Sequence, residues 1–350
     1  TFNLFKKVLL TLLLKAWFNK NMHKDEYIPK LNDKTIHQAV KNYLSDENLK
    51  QQVINSYGTI DNWDVSQVTD MNSLFKTHED FNEDISNWNV SNVQNMEDMF
   101  CNAISFNQPL NNWDVSNVKN MEWMFSFATT FNQPINNWNV SNVKTMSYMF
   151  AGVKTFNQSL NEWNVSNVKN MEGLFIDCES FNNPINNWNV SSVKNMDSMF
   201  YNAISFNQSL SNWEVSTVTN MPFMFYNARN FNQPINNWDV SNIKNMTSIF
   251  HSCSKFNQPI NNWNVCNVTE MIGMFWNTPI FNQSLSNWNV SNVKSMNSMF
   301  CDAISFNQDL NNWNVCNVKN MQNIFENATS FDQPLNNWNI RGIKRLDSLF

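Results

Sequence analysis

Tryptophan stands at Trp63, Trp88, Trp113, Trp138, Trp163, Trp188, Trp213, Trp238, Trp263, Trp288, Trp313 and Trp338, an unbroken step of 25 residues. Only Trp17, Trp123 and Trp276 lie off this register. A fixed period of this size means supersecondary units that bury their apolar faces by stacking on like neighbours. With Trp113 as reference, the apolar columns of one unit are Leu110, Trp113, Val115, Val118, Met121, Met124, Phe125, Ala128 and Phe131. The Phe125 column holds Phe from Phe75 to Phe350, and the Phe131 column holds Phe from Phe81 to Phe331.

Spacing within the unit predicts its local structure. Trp113 and Val115 alternate with polar residues, the period of a short strand with one buried face. Met121, Met124 and Phe125 fall at i, i+3 and i+4, as on a single helical turn. The expected architecture is a repeat solenoid over residues 61–350, a parallel β-solenoid of about twelve coils, the last incomplete. Each coil carries one short strand and one short helical turn. At ~4.8 Å between paired strands the rod is about 50–60 Å long. Residues 1–60 are expected to be an N-terminal α-helical segment and cap, because a first coil otherwise exposes an unpaired edge. Six prolines (Pro109, Pro134, Pro184, Pro234, Pro259 and Pro334) share one column, a position needing no backbone donor.

Composition narrows function. With 15 Trp, 28 Phe and 19 Met the chain is too rich in large apolar groups for disorder. A net charge of −6 argues against sequence-specific nucleic-acid binding. His23, His37, His78 and His251 occupy unrelated columns, with no ligand spacing for a metal and no Gly-rich phosphate loop. No cofactor and no catalytic centre are expected.

Outward columns carry the binding candidates. Lys119, Lys144, Lys169, Lys194, Lys244, Lys294, Lys319 and Lys344 form one stripe. Like charges ~5 Å apart repel, so the stripe calls either for an anionic partner or for local pairing with Glu97, Glu122, Glu172 and Asp197. The Asn columns, such as Asn92, Asn117, Asn142 and Asn167, or Asn107, Asn132, Asn157, Asn182 and Asn207, read first as inter-coil hydrogen-bond ladders. A glycan-binding amide surface is the functional alternative. Cys266 and Cys316 lie two coils apart, ~10 Å and beyond disulfide reach. Cys178 and Cys253 stand in the small Ala column. Unpaired thiols favour a reducing intracellular compartment or a virus particle over an oxidising one. The N-V-S triplets at Asn89, Asn139, Asn164, Asn189 and Asn289 read as repeat grammar rather than glycosylation sites.

Residues 4–18, LFKKVLLTLLLKAWF, are apolar but too short to span a bilayer. They are expected to form a helix that covers the first coil or docks on a partner, with membrane contact the alternative. A second helical segment places Ile36, Val40 and Leu44 on one face and ends at Gly58. Phe350 falls inside a unit, so either the repeat continues beyond it or another chain covers that edge.

The phrase FNQPLNNWDVSNVKNMEWMF at 106–125, with its lead-in TIHQAVKNYLSDENLKQQVINSYGTIDNWDVSQVTDM, resembles the 25-residue repeat of bacterial surface proteins. This is the mycoplasma-type domain of unknown function, a BspA-like variant of leucine-rich repeats. Leu110, Trp113 and Val115 echo the leucine-rich spacing, although Val118 stands where that pattern has Asn or Cys. The resemblance implies an LRR-like solenoid and a binding or adhesive role. Two functions are therefore carried forward. One is a non-enzymatic structural scaffold for protein–protein interaction in a larger assembly such as a virus particle, working through the solenoid face and the N-terminal helix. The other is a cell-surface adhesin for a host receptor or glycan.

Overall fold

The computed structural model describes residues 29–343. The expected helix at 4–18 and Lys344 lie outside the described residues.

Two helices come first. α1 spans Ile36–Tyr43 and buries Ile36, Ala39, Val40 and Tyr43. α2 spans Glu47–Tyr57. Asp46 caps α2 by accepting the Leu49 N–H at 3.0 Å, and Gly58 ends it with φ +77°, a backbone angle that favours glycine. Leu44 closes α1 and is half-buried rather than part of its buried face. These helices sit on the first coil. Tyr43 meets Trp63 edge-on at 5.5 Å, and the Trp63 indole N–H donates to Gly58 O. Asp33 accepts from Thr69 N and Thr69 Oγ1, each at 2.7 Å.

From Trp63 onward the 25-residue coils stack in register. The Trp rings from Trp138 to Trp338 form one column, with neighbouring centroids 6.3–6.5 Å apart and planes within 6°. Each indole N–H donates to the carbonyl of the Leu or Ile that opens the preceding coil, as Trp188 does to Leu160 at 2.8 Å. Two Phe columns run alongside. Phe125 lies 4.0 Å from Phe131 in its own coil and 5.9 Å from Phe150 in the next.

The backbone path differs from the one expected. No strand forms at Trp113–Val115. The N–H of Trp113 turns back on Leu110 O, and that of Val118 on Val115 O. Parallel pairing is instead reduced to one residue per coil, seven residues after the Trp, as in Asn95–Asn120–Thr145–Asn170. Nor is there a helical turn at Met121–Phe125. Overlapping turns close Met124 N on Met121 O, Ser126 N on Trp123 O and Ala128 N on Phe125 O. Trp123 and Phe127 adopt φ +56°. Because these two residues flip to left-handed angles, alternate N–H groups point along the rod. Met121, Trp123, Phe125 and Phe127 donate to Thr145, Ser147, Met149 and Ala151 of the next coil. A helical turn would have kept those donors inside its own coil.

The Asn columns are consumed by the same ladder. Asn107 Oδ1 accepts the N–H of Asn132, and this link recurs unbroken from Asn82 to Asp332. The Asn117 amide donates to Ser91 O at 2.7 Å. The amides of these two columns thus clamp backbone of the neighbouring coil, and the Asn107 column also accepts from Gln or Asn amides, as Asn132 Oδ1 does from Gln158. Cys178 and Cys253 are buried and donate to Phe150 O and Phe225 O.

One joint is weaker. Among the described residues the bridge passes from coil to coil except between Asn220 and Asn245. There Met221 N and Lys244 N lack the inter-coil acceptors that their counterparts have. Pro222 is the cause: it restricts the angles of Met221 before it, and it lacks the N–H that Glu122 gives to Asn120 Oδ1. The amides of Met221 and Lys244 are expected to exchange with deuterium fastest among their columns. Equal protection at Met121 and Met221 would contradict this.

Candidate interaction face

Inner columns and Asn clamps repeat almost without change, whereas the residues nine, ten, thirteen, fourteen, sixteen and seventeen positions after each Trp differ from coil to coil. Most of the residues at these positions are exposed or half-buried, and they lie around the two left-handed turns. At the tenth position stand Trp123, Tyr148 and Phe223, and at the fourteenth Phe127, all with φ between 55° and 56°. Most other coils place Ser, Asn, Asp or Gly there, residues that reach this region more cheaply. A bulky side chain at such an angle is a local strain of about 1–2 kcal/mol, retained here in several coils.

The rings stack along the rod. Trp123 lies on Tyr148 at 4.1 Å with planes 11° apart. The next residue in that column is Gly173, where a Cβ would fall 2.4 Å from Tyr148 Cε1. Gly152 likewise underlies Phe127, at 2.5 Å from Cδ1. The missing side chains let each ring lie flat across the following coil. Tyr148 O–H donates to Glu172 Oε1 at 2.6 Å, and burial with this bond pushes the phenol well above its ordinary range.

A second column, thirteen positions after the Trp, stacks Tyr201 on Tyr226 at 4.4 Å, Tyr226 on His251 at 4.4 Å and His251 against Trp276 at 4.7 Å. The Trp276 indole N–H donates to Asp302 Oδ2 at 3.0 Å. By the Trp period alone Trp276 is off register and His251 stands, among the histidines, in a column of its own. Both stand thirteen residues after a register Trp, and aligning by that offset would have shown the column.

His251 supplies a pH test. Burial lowers its imidazole to about 4, against an opposing pull from Asp302. The unfolded chain protonates near 6.5, so the folded form is favoured fully above that pH and progressively less as pH falls towards 4. Replacing His251 with Tyr, which keeps a ring in the stack, is expected to remove this component. The melting-temperature gap between parent and variant should then change between pH 7 and pH 4, to the parent's disadvantage in acid. A gap independent of pH contradicts it.

Of the Lys stripe, the seven described members are exposed. Lys119 Nζ donates to Gln94 Oε1 at 2.8 Å. The local pairing with carboxylates does not form: among the described residues the ion pairs are Lys30–Asp64, Lys50–Glu83, Lys76–Asp98 and Lys154–Glu179. The carboxylates turn to the next coil instead. Glu97 accepts from Asn120, Glu122 from Thr145 and Ser147, and Glu172 from Asn195. The sequon residue Asn89 is exposed, and its Oδ1 accepts the Ser91 N–H and O–H.

Among the described residues no cluster of three or more His, Cys, Asp or Glu is placed to hold a metal ion. Nor is any helix there long and apolar enough to cross a membrane.

The family model described as "Mycoplasma protein of unknown function, DUF285" matches residues 44–163, 146–263 and 244–350. No curated protein matches the sequence. Among solved structures, the crystal structure of a TLR13–ssRNA13 complex is similar at 9% identity and a TM-score of 0.21, over 76% of this chain and 48% of that one. This chain therefore spans about half the length of that one.

Proposed function

We propose, from the premise that this chain belongs to the DUF285 family of mycoplasma-type proteins, that it is a non-enzymatic scaffold for protein–protein interaction. One observation carries this reading. Large exposed apolar side chains gather where the repeat varies: of the six among the described residues, Ile104, Phe127, Trp276, Ile280 and Ile304 lie on the variable outward columns. The inner ladders hold a stiff frame, and the outer columns differ from coil to coil in the manner of a surface shaped by what it meets. An LRR-like solenoid with an N-terminal cap is the architecture we assign, and the Lys stripe is its candidate site for an anionic protein face. A role inside an assembly such as a virus particle is favoured over an adhesin by the six cysteines, which are all free and of which Cys101, Cys178, Cys253 and Cys301 are buried. A reducing compartment suits them.

Crosslinking of the native source material with mass spectrometry tests this, with thiols labelled after denaturation. The expected result is a fixed set of partner chains linked to the variable columns or the Lys stripe, and six labelled cysteines. Links to host surface molecules with oxidised cysteines would establish the adhesin instead. Changing Lys119, Lys144, Lys169 and Lys194 together to Gln should weaken an anionic partner at low salt without altering the fold. A partner whose affinity ignores both that change and added salt is not held by the stripe.

A further inference from the structure

The coil that starts at Trp263 breaks the outward pattern more than any neighbour. Where the preceding coil presents Thr247, His251, Ser254 and Lys255, this one presents Ile272, Trp276, Pro279 and Ile280. Trp276 is 38% exposed and Ile280 44%. The next coil adds Ile304 at 49%, held alongside because Ser305 N donates to Pro279 O at 3.0 Å. Three of the six large exposed apolar side chains among the described residues thus gather on two adjacent coils.

Hydrogen bonding is also incomplete in these coils. In an earlier coil Glu122 accepts from both Thr145 and Ser147. The corresponding trio here is Ile272, Ser295 and Asn297. With Ile272 in the carboxylate position, Ser295 Oγ and Asn297 Oδ1 are buried without a partner in the chain, and so is His251 Nδ1. Buried polar atoms are nearly always paired in native structures. The three atoms lie on the coils that carry the apolar patch or adjoin it, and being buried they are closed to a docked molecule themselves.

Charge identifies the class of that molecule. Arg229 and Lys255 stand exposed on the preceding coils, while Asp302 and Glu326 lie on the following ones. The Asp302 oxygens already accept from Trp276 and Asn327, which leaves Glu326 as the less occupied acid at that end. From the coil of Arg229 to that of Glu326 is four coil steps, ~19 Å, the reach of about six extended residues. We propose that this patch is a docking site for a short extended protein segment. The segment carries an acidic residue over Arg229 and Lys255, two bulky apolar side chains against Trp276, Ile280 and Ile304, and a basic residue towards Glu326.

A second copy of the chain fits less well, because a stable dimer buries about 800 Å² on each partner and this apolar patch spans two coils. A glycan fits less well too: the Trp276 N–H is engaged, one side of the ring faces His251, and isoleucine offers no hydrogen bonds. The site is one way in which the scaffold proposed above would meet its partner, and it rests on that reading.

The test uses the intact chain and a phage-displayed random dodecapeptide library. We expect enriched peptides with an acidic–apolar–apolar–basic order, bound at least tenfold more weakly by Trp276→Ser and by Ile304→Ser. Both side chains are exposed, so unchanged melting curves will show that these variants fold. Lys255→Glu should weaken the same peptides and should accept those whose acidic residue is exchanged for lysine. Peptides that bind parent and variants equally, or that lack the charge order, would overturn the proposal. So would a dimer in sedimentation that Ile304→Ser dissolves, or glycan-array binding that depends on Trp276. Its failure is separable from that of the scaffold reading: native crosslinks to partner proteins mapped elsewhere on the chain would leave the scaffold standing while removing this site.

Discussion

Replacing Trp188 with alanine is expected to destabilise its part of the rod by roughly 3–5 kcal/mol. The side chain is 1% exposed and stacks between Trp163 at 6.5 Å and Trp213 at 6.4 Å. Its N–H also satisfies Leu160 O at 2.8 Å. The substitution opens a cavity in the stacked column and removes one of the two hydrogen bonds to Leu160 O, which keeps that from the Trp163 N–H at 3.1 Å, and both losses act in the same direction. Contacts in a stack of repeats are between nearest neighbours, so the loss should be local at first. Hydrogen exchange should quicken in the coils of Trp163, Trp188 and Trp213 while that of Trp288 keeps its protection. Uniform loosening, or no change in melting, would contradict the stacked column as the source of stability.

The second large effect is expected at Gly173. Alanine there would bring a Cβ to 2.4 Å from Tyr148 Cε1 at a φ of +58°. The ring is held by Trp123 on its other side and by Glu172 at its hydroxyl, so it cannot turn away freely. The left-handed angle costs about 1–2 kcal/mol, and losing the ring stack adds ~0.5–1.5 kcal/mol. A total near 2–3 kcal/mol should appear in urea or thermal unfolding. In a Tyr148→Ser background the same change should cost only the backbone part and a small shift of Ile176 Cδ1, 2.9 Å from the added Cβ, since Ser198 and Ser248 already occupy this column at φ 55° and 53°. Equal costs in both backgrounds would show that the ring and the glycine are independent.

Much of the fold was legible in the sequence, because burial repeats with the chain. The Phe columns from Phe75 to Phe325, the Trp column and the small cysteines at Cys178 and Cys253 are inside where the period places them. The Asn columns do link coil to coil, though the repeating partner of the two columns singled out is backbone rather than an identical amide. The coil's own path was not legible. Met121, Met124 and Phe125 at i, i+3 and i+4 suit a helical turn, and they suit overlapping turns equally well, since both bring every third residue back to the same side. What separates them is the left-handed angle at Trp123, a bulky residue that local preference steers away from it.

The candidate site was less legible for a related reason. The Lys stripe shows in the sequence as a column of identical residues, but Tyr201, Tyr226, His251 and Trp276 share a position without sharing an identity. Their meaning lies in a contact between residues 25 apart, which appears only when the coils are stacked. Likewise Ser295 and Asn297 look ordinary until Ile272 is found where a carboxylate would have answered them.

The sequence by itself determined that like residues would stack on like: an uninterrupted 25-residue period with large aromatics in constant columns buries its apolar surface only by repeating itself along an axis. The tertiary structure alone decided how each coil turns and which outward groups meet. Alternate N–H groups find their acceptors in the next coil, so the backbone angles that aim them are set by a neighbour that no single unit contains.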